Sequence, residues 1–367
     1  MALSKGDDFP IHQTSEPIAY AGTDRNYYDR YFFNGYSMVS GDYSFFGAAF
    51  GVYPHLNIAD AAFVVVRDGV EIALHASRCL DMERMNLTVG PIAIEVLEPL
   101  KSLRVKVDAP DQKIIADITF TGRCEPIEEP RFTRRVGPRT FMDYTRLTQN
   151  GRYRGWIEVD GVRQDIGGFV GTRDRSWGVR AVGIRDPQAL APATEPQFFW
   201  LWGPANFQSG SLFYHTCDDA TGYPWNRRAI WRPDNGPDRE VCDALATVAW
   251  QSGTRHAASA VLTLNDGSWS REFLFKPLYN FYMLGLGYSH PKWLHGLNHG
   301  GLALEREDIV LKNVNARLPH HLHVQALCEV SYCDEGGILH QGRGVLEQFV
   351  LGAHQPSGFV STTDFAP

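Results

Sequence analysis

The sequence lacks the usual signatures of cofactor-dependent enzymes and hydrolases. Its 367 residues contain no GxSxG, no dinucleotide fingerprint, no phosphate-binding loop and no HExxH, so the classes that depend on those motifs lose support. No run of about five basic residues occurs and the formal charge is −7, which argues against a nucleic-acid partner. No stretch of about eighteen apolar residues is present, so we expect no membrane span.

Paired cysteines and an apolar leader are also missing. The six cysteines are scattered without a CxxC pair, a pattern typical of reduced and mostly buried thiols. Residues 1–8 carry no apolar run and do not resemble a signal peptide. Together these features predict a cytoplasmic protein.

Helical periodicity is nearly absent. Residues 238–248 are the one candidate helix, and their valines and alanines also fit a strand. Short runs of alternating polar and apolar residues fill most of the chain, separated by turns such as Asp68-Gly69. The 35 glycines and 21 prolines suit this pattern. The predicted fold class is all-β, with two antiparallel β-barrels in tandem.

The predicted organisation has five parts. They are an N-terminal arm (residues 1–30, with a short helix near 24–31), a first barrel (31–185), a linker (186–195), a second barrel (196–355) and a C-terminal tail (356–367). An up-and-down barrel of about eight strands has room inside for one small ligand. Because aromatic residues reach 12%, we expect that ligand to be apolar or aromatic. Tyr36, Tyr43 and Phe46 are expected to form a pocket wall.

The most unusual stretch, residues 171–180, reads Gly-Thr-Arg-Asp-Arg-Ser-Trp-Gly-Val-Arg. On a strand, Arg175 and Trp177 would face one side and Asp174 the other. One interpretation makes Asp174 an acid or base and Arg175 an anchor for a substrate oxygen, with the face of Trp177 stabilising a cation. The alternative is a buried lattice of arginine and aspartate that holds two domains together.

A second group of candidate residues lies in 200–219. Trp200 and Trp202 share one face of a strand and are expected to line the pocket. Tyr214 and His215 are groups that general acid–base catalysis uses, although ordinary structural roles fit them as well.

Histidines are concentrated between residues 290 and 323. His321 and His323 have a spacing that occurs in metal-binding barrels, yet no acidic or cysteine partner stands at a suitable spacing. We therefore predict no metal site and ordinary hydrogen-bonding roles. His299, in a glycine-rich loop, is expected to face the mouth of a pocket.

From about residue 30 to 352, the chain resembles the tandem-lipocalin group that includes carotenoid 1,2-hydratase, the AttH-like proteins and kievitone hydratase. The Gly-Thr-Arg-Asp-Arg-Ser-Trp-Gly-Val-Arg stretch is typical of a bacterial branch of that group. The resemblance implies two lipocalin-like barrels, no obligatory cofactor and a largely hydrocarbon substrate. It also implies chemistry in which a carboxylic acid protonates an alkene carbon and aromatic faces shelter the resulting cation.

The match to the hydratases is partial. Their corresponding stretch reads Asp-His-Asn-Trp-Gly, so Asp174 and Trp177 match while Arg175 replaces the histidine. Tyr214 matches the tyrosine of a later Tyr-x-Asp, but Thr216 stands where the acid would be. An arginine does not shuttle protons at neutral pH, so the hydratase mechanism does not transfer intact.

The preferred hypothesis is a cofactor-independent acid–base enzyme acting on a hydrophobic terpenoid, steroid or prenylated substrate. The reaction would be hydration or dehydration, isomerisation or cyclisation of an alkene, with Asp174, Arg175, Tyr214 and His215 as catalytic residues. The alternatives are a lipocalin-type carrier of a lipophilic molecule and a structural protein in which residues 171–180 form a lattice. The sequence leaves the substrate and the oligomeric state open, a homodimer being one option.

Overall fold

Antiparallel sheets account for most of both halves of the chain, as the alternating runs predict. The structure is a computed structural model that describes residues 2–184, 188, 195–241 and 243–367. Two compact units result, Met1–Ala193 with Gly285–Val310 and Thr194–Leu284 with Leu311–Pro367. The predicted linker, residues 186–195, lies outside the described residues apart from Gln188 and Glu195.

The first unit is built on one sheet of fourteen strands. These are β1 (Tyr27–Tyr36), β2 (Phe45–Tyr53), β3 (Ile58–Arg67), β4 (Val70–Cys79), β5 (Thr88–Val89), β6 (Ile92–Glu98), β7 (Ser102–Ala109), β8 (Ile114–Gly122), β9 (Ile127–Glu128), β10 (Phe132–Val136), β11 (Arg139–Val159), β12 (Val162–Asp165), β13 (Val170–Val179) and β22 (Leu302–Val310). The main path runs β22-β4-β3-β2-β1-β13-β11-β8-β7-β6-β5. Because β5 lies against β3 and β4, the sheet curls into a nearly closed barrel.

The second unit contains a sheet of ten strands, in the order β18-β17-β16-β14-β24-β23-β21-β20-β19 with β15 beside β16 and β24. These are β14 (Phe198–Trp202), β15 (Ala205–Phe207), β16 (Gly210–Asp218), β17 (Pro224–Pro233), β18 (Arg239–Val241), β19 (Asp243–Trp250), β20 (Ala257–Asn265), β21 (Ser270–Tyr282), β23 (Val324–Cys333) and β24 (Leu339–Leu351). The all-β prediction with two lipocalin-like sheets is confirmed.

Helical structure in the described residues is limited to short 3-10 segments. These are Lys5–Asp8, Pro54–Leu56, Pro110–Gln112, Met283–Leu286, Leu311–Asn313, Pro319–His321 and Gln355–Ser357. In the described part of the chain, no helix has the length and apolar character needed to cross a membrane.

Each sheet carries an apolar core on one face. In the first unit, alternate residues of β8 such as Ile114, Ile118 and Phe120 join a core cluster of buried side chains. A second cluster, which includes Tyr214 and Phe273, belongs to the second unit. We call the face of the first sheet opposite its core the outer face. Alternation along each strand decides which residues lie on it.

Local details differ from the sequence-based expectations in three places. Residues 24–31 do not form a short helix, because Tyr27–Tyr36 pairs with two strands as β1. The candidate helix at 238–248 is replaced by strands at 239–241 and 243–248. The segment Gly285–Val310 groups with the first unit, although the sequence-based division has it within 196–355. It does so because β22 pairs along β4, from Leu302–Arg78 to Val310–Val70.

Candidate acid–base pocket

The stretch 171–180 forms β13 and divides between two faces, as alternation predicts. Arg175 stands opposite Tyr31 and Leu147, which are core residues, while Asp174 stands opposite Phe32 and Thr148 on the outer face. The acid and the arginine of the predicted catalytic pair therefore point to opposite sides of the sheet.

Arg175 is completely buried and engaged with the protein itself. Its guanidinium forms a salt bridge with Asp29 and donates to the carbonyl oxygens of Asp7 (3.2 Å), Phe9 (2.9 Å) and Arg30 (3.0 Å). Arg173 similarly pairs with Asp8. These bonds tie the N-terminal segment to β13, so the prediction that Arg175 anchors a substrate oxygen gains no support from the structure.

Trp177 belongs to the same N-terminal assembly. Its ring stacks on His12 with centroids 4.0 Å apart, and the two ring nitrogens of His12 lie 3.0 Å from carboxylate oxygens of Asp7 and Asp29. The indole thus packs against a structural histidine, which is a different surrounding from the predicted pocket wall.

Asp174 lies on the outer face with a cationic partner. Its Oδ2 accepts a hydrogen bond of 2.7 Å from Arg146, whose Nε is 3.5 Å from Glu129. Among the described residues, Asp174 is not one of those that line the pocket formed by β1, β3, β4 and the 286–299 segment. Its catalytic role stays a prediction.

Two neighbouring rows of residues, each paired from strand to strand, cross the outer face and contain most of its polar groups near the pocket. One runs Asp174, Phe32, Ala49, Ala62, His75, Glu305, and the next runs Ser176, Arg30, Gly51, Asp60, Ser77, Ala303. The alanines and Gly51 leave space between the polar side chains. This pattern places an acid, a histidine and an arginine beside a floor of small residues.

A pocket lies over this floor, roofed by residues of the 286–299 segment. Its free space in this structure is about 10 Å³, which is room for about one water molecule. Its lining comprises Arg30, Asp60, Ala61, Ala62, His75, Ala76, Ser77, Leu286, Gly287, Trp293, Leu294, His295, Leu297 and His299. Polar groups thus converge among apolar walls over this floor.

Asp60 is the acid of the pocket. Its Oδ2 accepts from the backbone N–H of Gly296 at 2.8 Å and its Oδ1 from the hydroxyl of Tyr53 at 3.1 Å. Burial raises the pKa of Asp60 to about 6, despite the opposing influence of Arg30 and these two hydrogen bonds. Gly51 is required beneath this group, since a Cβ there would lie 2.5 Å from the Tyr53 hydroxyl.

Removing the Tyr53 hydroxyl should raise the pKa of Asp60 further. In Tyr53→Phe the ionised carboxylate loses a donor, and a bond of about 1 kcal/mol corresponds to a rise of roughly one pKa unit. The carboxyl resonance followed by NMR against pH measures this directly. Tyr31→Phe is the control, because it removes a buried hydroxyl that donates to Asp8 on the opposite face. An unchanged Asp60 titration in Tyr53→Phe would contradict the assigned hydrogen bond.

His75 is the second titratable group of the pocket. The residue is 2% exposed, and its Nε2 has no hydrogen-bond partner among the described residues. The nearest carboxylate oxygen, on Glu307, lies 3.8 Å away. Burial lowers the pKa of His75, which leaves the ring neutral at pH 7. It stacks on Trp293 at 5.4 Å, and Trp293 stacks on His299 at 4.3 Å, so His299 lies on the pocket lining.

His75, His290 and Glu307 place their ligand atoms within 4.8 Å of one another, close enough to be considered for a metal. The tautomer of His290 argues against this. Its Nδ1 accepts backbone N–H groups of Lys292 (2.9 Å) and Trp293 (2.8 Å), so the ring proton is on Nε2 and is donated to Glu307 at 3.0 Å. A nitrogen that carries its proton has no lone pair for a metal.

The second unit separates the other two predicted catalytic residues. Tyr214 belongs to the core cluster, and burial raises the pKa of its hydroxyl. His215 points to the opposite face of β16, where its Nε2 is 2.7 Å from Asn226. The two side chains therefore lie on opposite faces of β16, and their catalytic role stays a prediction.

Trp200 and Trp202 share one face of β14, as alternation predicts, and the register with β16 places His215 on the same side. The Nε1 of Trp200 donates to Glu347 at 2.9 Å. The same carboxylate is 2.8 Å from Nε2 of His323 and accepts from Gln325 at 2.7 Å. This is a hydrogen-bonded polar cluster of the second unit, and the tryptophans form part of its surroundings.

The three aromatic residues expected to form a pocket wall, Tyr36, Tyr43 and Phe46, lie in different surroundings. Phe46 lies in the core, 5.0 Å from the ring of Tyr153, and Tyr36 is fully buried against Phe45. Tyr43 is 48% exposed between β1 and β2. The three residues therefore do not line the pocket over β1 to β4, and their substrate-binding role stays a prediction.

Sequence reasoning overlooked Arg30, Asp60 and His75. A signal was present, because Asp60 and His75 stand within long apolar runs where a solvated charge has no reason to be. Alternation alone would have placed them on one face. Their convergence with Arg30 depends on strand order and on the roof segment, neither of which the sequence states.

Comparisons with known proteins agree with this fold. Residues 3–360 match a model described as "Family of unknown function (DUF8625)", and no curated protein matches the sequence significantly. The structure is similar to a putative AttH from Nitrosomonas europaea (TM-score 0.52, 13% identity, 92% of this chain and 98% of that one). It is also similar to CghA in a crystal structure with Sch210972 (TM-score 0.52, 12% identity, 89% of each chain).

Kievitone hydratase from Nectria haematococca also matches, with a TM-score of 0.46, 11% identity and 88% of each chain covered. The matches to the putative AttH and to CghA confirm the resemblance in fold to proteins of that group. At identities this low, the likeness concerns the fold, and the chemistry has to follow from the residues of this chain.

Proposed function

The chain belongs to DUF8625, a family of unknown function, and we propose that it is a cofactor-independent acid–base enzyme acting on a double bond of an apolar small molecule. The reaction is hydration or dehydration, isomerisation or cyclisation. Asp60 supplies the proton and His75 accepts one. The observation that carries this proposal is a buried carboxyl of raised pKa lining a pocket with a neutral histidine.

Asp60 suits the acid role because a larger fraction of it is protonated near neutral pH than of an ordinary aspartate. With a pKa of about 6, about a tenth of the molecules carry the proton at pH 7, against less than about one in a thousand for an ordinary aspartate. His75 suits the base role because burial keeps it neutral. The two environments bring an acid and a base toward a common working pH.

The pairing of β3 with β4 also places Asp60 and His75 where both can act on one substrate. Asp60 and His75 are diagonal neighbours on β3 and β4, since Asp60 pairs with Ser77 and Ala62 pairs with His75. Such neighbours lie roughly 7–8 Å apart, which is close enough for both to act on one reacting group. Trp293, Leu294 and Leu297 supply the apolar wall for a hydrocarbon substrate.

Mass spectrometry distinguishes this proposal from a lipocalin-type carrier. The protein is incubated with terpenoid, steroid and prenylated alkenes, and the released compounds are weighed. A gain or loss of 18 Da, or a rearranged isomer separated by chromatography, supports the enzyme. Tight retention of an unchanged compound supports the carrier.

A further inference from the structure

Arg30 is the residue of the pocket that the acid–base proposal leaves unused. It is 2% exposed and lines the pocket. Its Nη1 lies 2.9 Å from Nδ1 of His295, and its Nη2 donates to the carbonyl of Leu286 at 3.4 Å. The guanidinium packs over the ring of Tyr288, 4.6 Å from the centroid. Its Nε–H has no hydrogen-bond partner among the described residues.

The positive charge of Arg30 is not cancelled by His295. Because a guanidinium only donates, the Nδ1 of His295 accepts, and the ring proton is on Nε2, which faces the Leu286 carbonyl at 2.8 Å. His295 is therefore neutral in this arrangement. It orients the guanidinium without supplying a counter-charge.

A second guanidinium adds to the positive potential. Arg30 and Arg180 both act to lower the pKa of Asp60, so both charges are felt at the acid. The two carboxylates on β22 have partners of their own. Glu307 accepts a hydrogen bond from His290, and Glu305 accepts one from Trp293 and forms a salt bridge with Lys292. Once Asp60 carries its proton, the Arg30 end of the pocket has a net positive charge.

The positive charge of Arg30 favours one of two reactions at a double bond over the other. Protonation of an isolated alkene creates a carbocation, which a nearby guanidinium destabilises. Reaction at an alkene conjugated to a carbonyl creates an enolate oxygen, which the same guanidinium stabilises. Donors aimed at a developing oxyanion in a buried site commonly contribute the largest part of catalysis.

We propose that the double bond of the substrate is conjugated to a carbonyl group, and that the carbonyl oxygen lies against Arg30 as it becomes an enolate. The substrate class is an α,β-unsaturated carbonyl compound or the β-hydroxy compound formed from it. This inference rests on the proposed acid–base function and specifies its substrate. Ser77 and Asp60 lie beyond Gly51 in the same row as Arg30.

The hydration step balances without an external reagent. Nε2 of His75 takes a proton from water as the water oxygen bonds to the β-carbon, and the π electrons move to the carbonyl oxygen beside Arg30. Asp60 then gives its proton to the α-carbon as the carbonyl re-forms. Proton transfer from His75 to Asp60 through solvent restores both groups. Dehydration is the same sequence reversed.

Nitrophenols of graded acidity test the oxyanion site without any need for turnover, because the phenolate mimics an enolate and differs in colour from the phenol. We expect the protein to bind the phenolate at least about tenfold more tightly, which lowers the apparent pKa of the bound compound by about one unit or more. Arg30→Gln should abolish this preference. Arg131→Gln, at an exposed salt bridge with Asp143, should retain it.

A second measurement uses the unaltered protein in case Arg30→Gln fails to fold. In D₂O, 2-cyclohexenone and 1-methylcyclohexene are offered as a conjugated and an isolated alkene of similar size. Preference for the enone, with deuterium at its α-carbon, supports the proposal. Preference for 1-methylcyclohexene overturns it, as does binding of neutral nitrophenol only, absence of nitrophenol binding, or an unchanged phenolate preference in folded Arg30→Gln.

The two proposals fail in different ways. Asp60→Asn should still bind the phenolate, since the oxyanion site does not use that carboxyl. Normal turnover in Asp60→Asn would therefore disprove the acid–base function while leaving the oxyanion site standing. If the unaltered protein showed no preference for the phenolate, the conjugated-carbonyl substrate would be disproved, while the acid–base function of Asp60 and His75 would be unaffected.

Discussion

Replacing Asp60 by asparagine should lower the turnover of a converted alkene by at least about a hundredfold, because asparagine cannot supply the proton. The fold should survive, since an amide can occupy the position between Gly296 and Tyr53. Steady-state rates of the purified variant, measured beside its circular dichroism spectrum, check both statements.

Two further asparagine substitutions make the comparison specific. Asp117→Asn removes a carboxylate from a surface pair with Arg104 and should leave turnover unchanged. Asp174→Asn examines the residue that the sequence favours as the acid. If Asp174→Asn abolished turnover while Asp60→Asn retained it, the assignment of the acid would move to Asp174 and its partner Arg146.

The pH dependence gives the Asp60 assignment a second check. A general acid works in its protonated form, so turnover should decline as pH rises above about 6, the pKa to which burial raises Asp60. The stability of the protein should change in the same region. Native Asp60 holds its proton more tightly than an unfolded aspartate, so folding stability falls as pH rises from about 4 to about 6. Asp60→Asn should lack that contribution, which urea unfolding at several pH values would reveal.

Arg175→Met should lower the free energy of unfolding by about 3–5 kcal/mol, because it leaves the completely buried carboxylate of Asp29 without its cation. It also removes the donors that hold the carbonyls of Asp7 and Phe9. Methionine preserves much of the side-chain volume, so the loss reports on charge and hydrogen bonds more than on packing. Urea unfolding curves measure it.

The control for this change is Arg131→Met. Arg131 is 60% exposed and pairs with Asp143 at the surface, where an ion pair contributes at most about 1 kcal/mol. If Arg175→Met unfolded like the control yet lost turnover, the guanidinium would act in catalysis, as the sequence-based hypothesis held. A large loss of stability with normal turnover in the folded fraction supports the structural role.

The strand pattern of residues 171–180 predicts the face of each side chain but not its partner. Alternation correctly separates Arg175 from Asp174, because successive side chains of a strand point to opposite faces. It also makes a lattice of arginine and aspartate one of two open alternatives. The structure supplies the partners Asp8 and Asp29, which lie about 150 residues away in the chain and which no local spacing could identify.

Asp60 and His75 show the converse. Both stand in apolar strands, so the sequence reports that they are unusual, yet it does not report what they face. Each becomes part of a pocket because β1 to β4 lie side by side and because Gly285–Val310 returns to the first unit through β22. The pKa of Asp60 likewise depends on desolvation by side chains distant in sequence.

The sequence by itself determined the all-β class, many of the turns, the face on which each strand residue lies and the resemblance to tandem-lipocalin proteins. These follow from short-range rules, because period-two alternation and turn chemistry act within a few residues. Only the tertiary structure decided that Arg175 pairs with the buried Asp29 and that Arg30, Asp60 and His75 share one pocket. Pairing between distant strands and burial are properties of the folded whole, so no local pattern contains them.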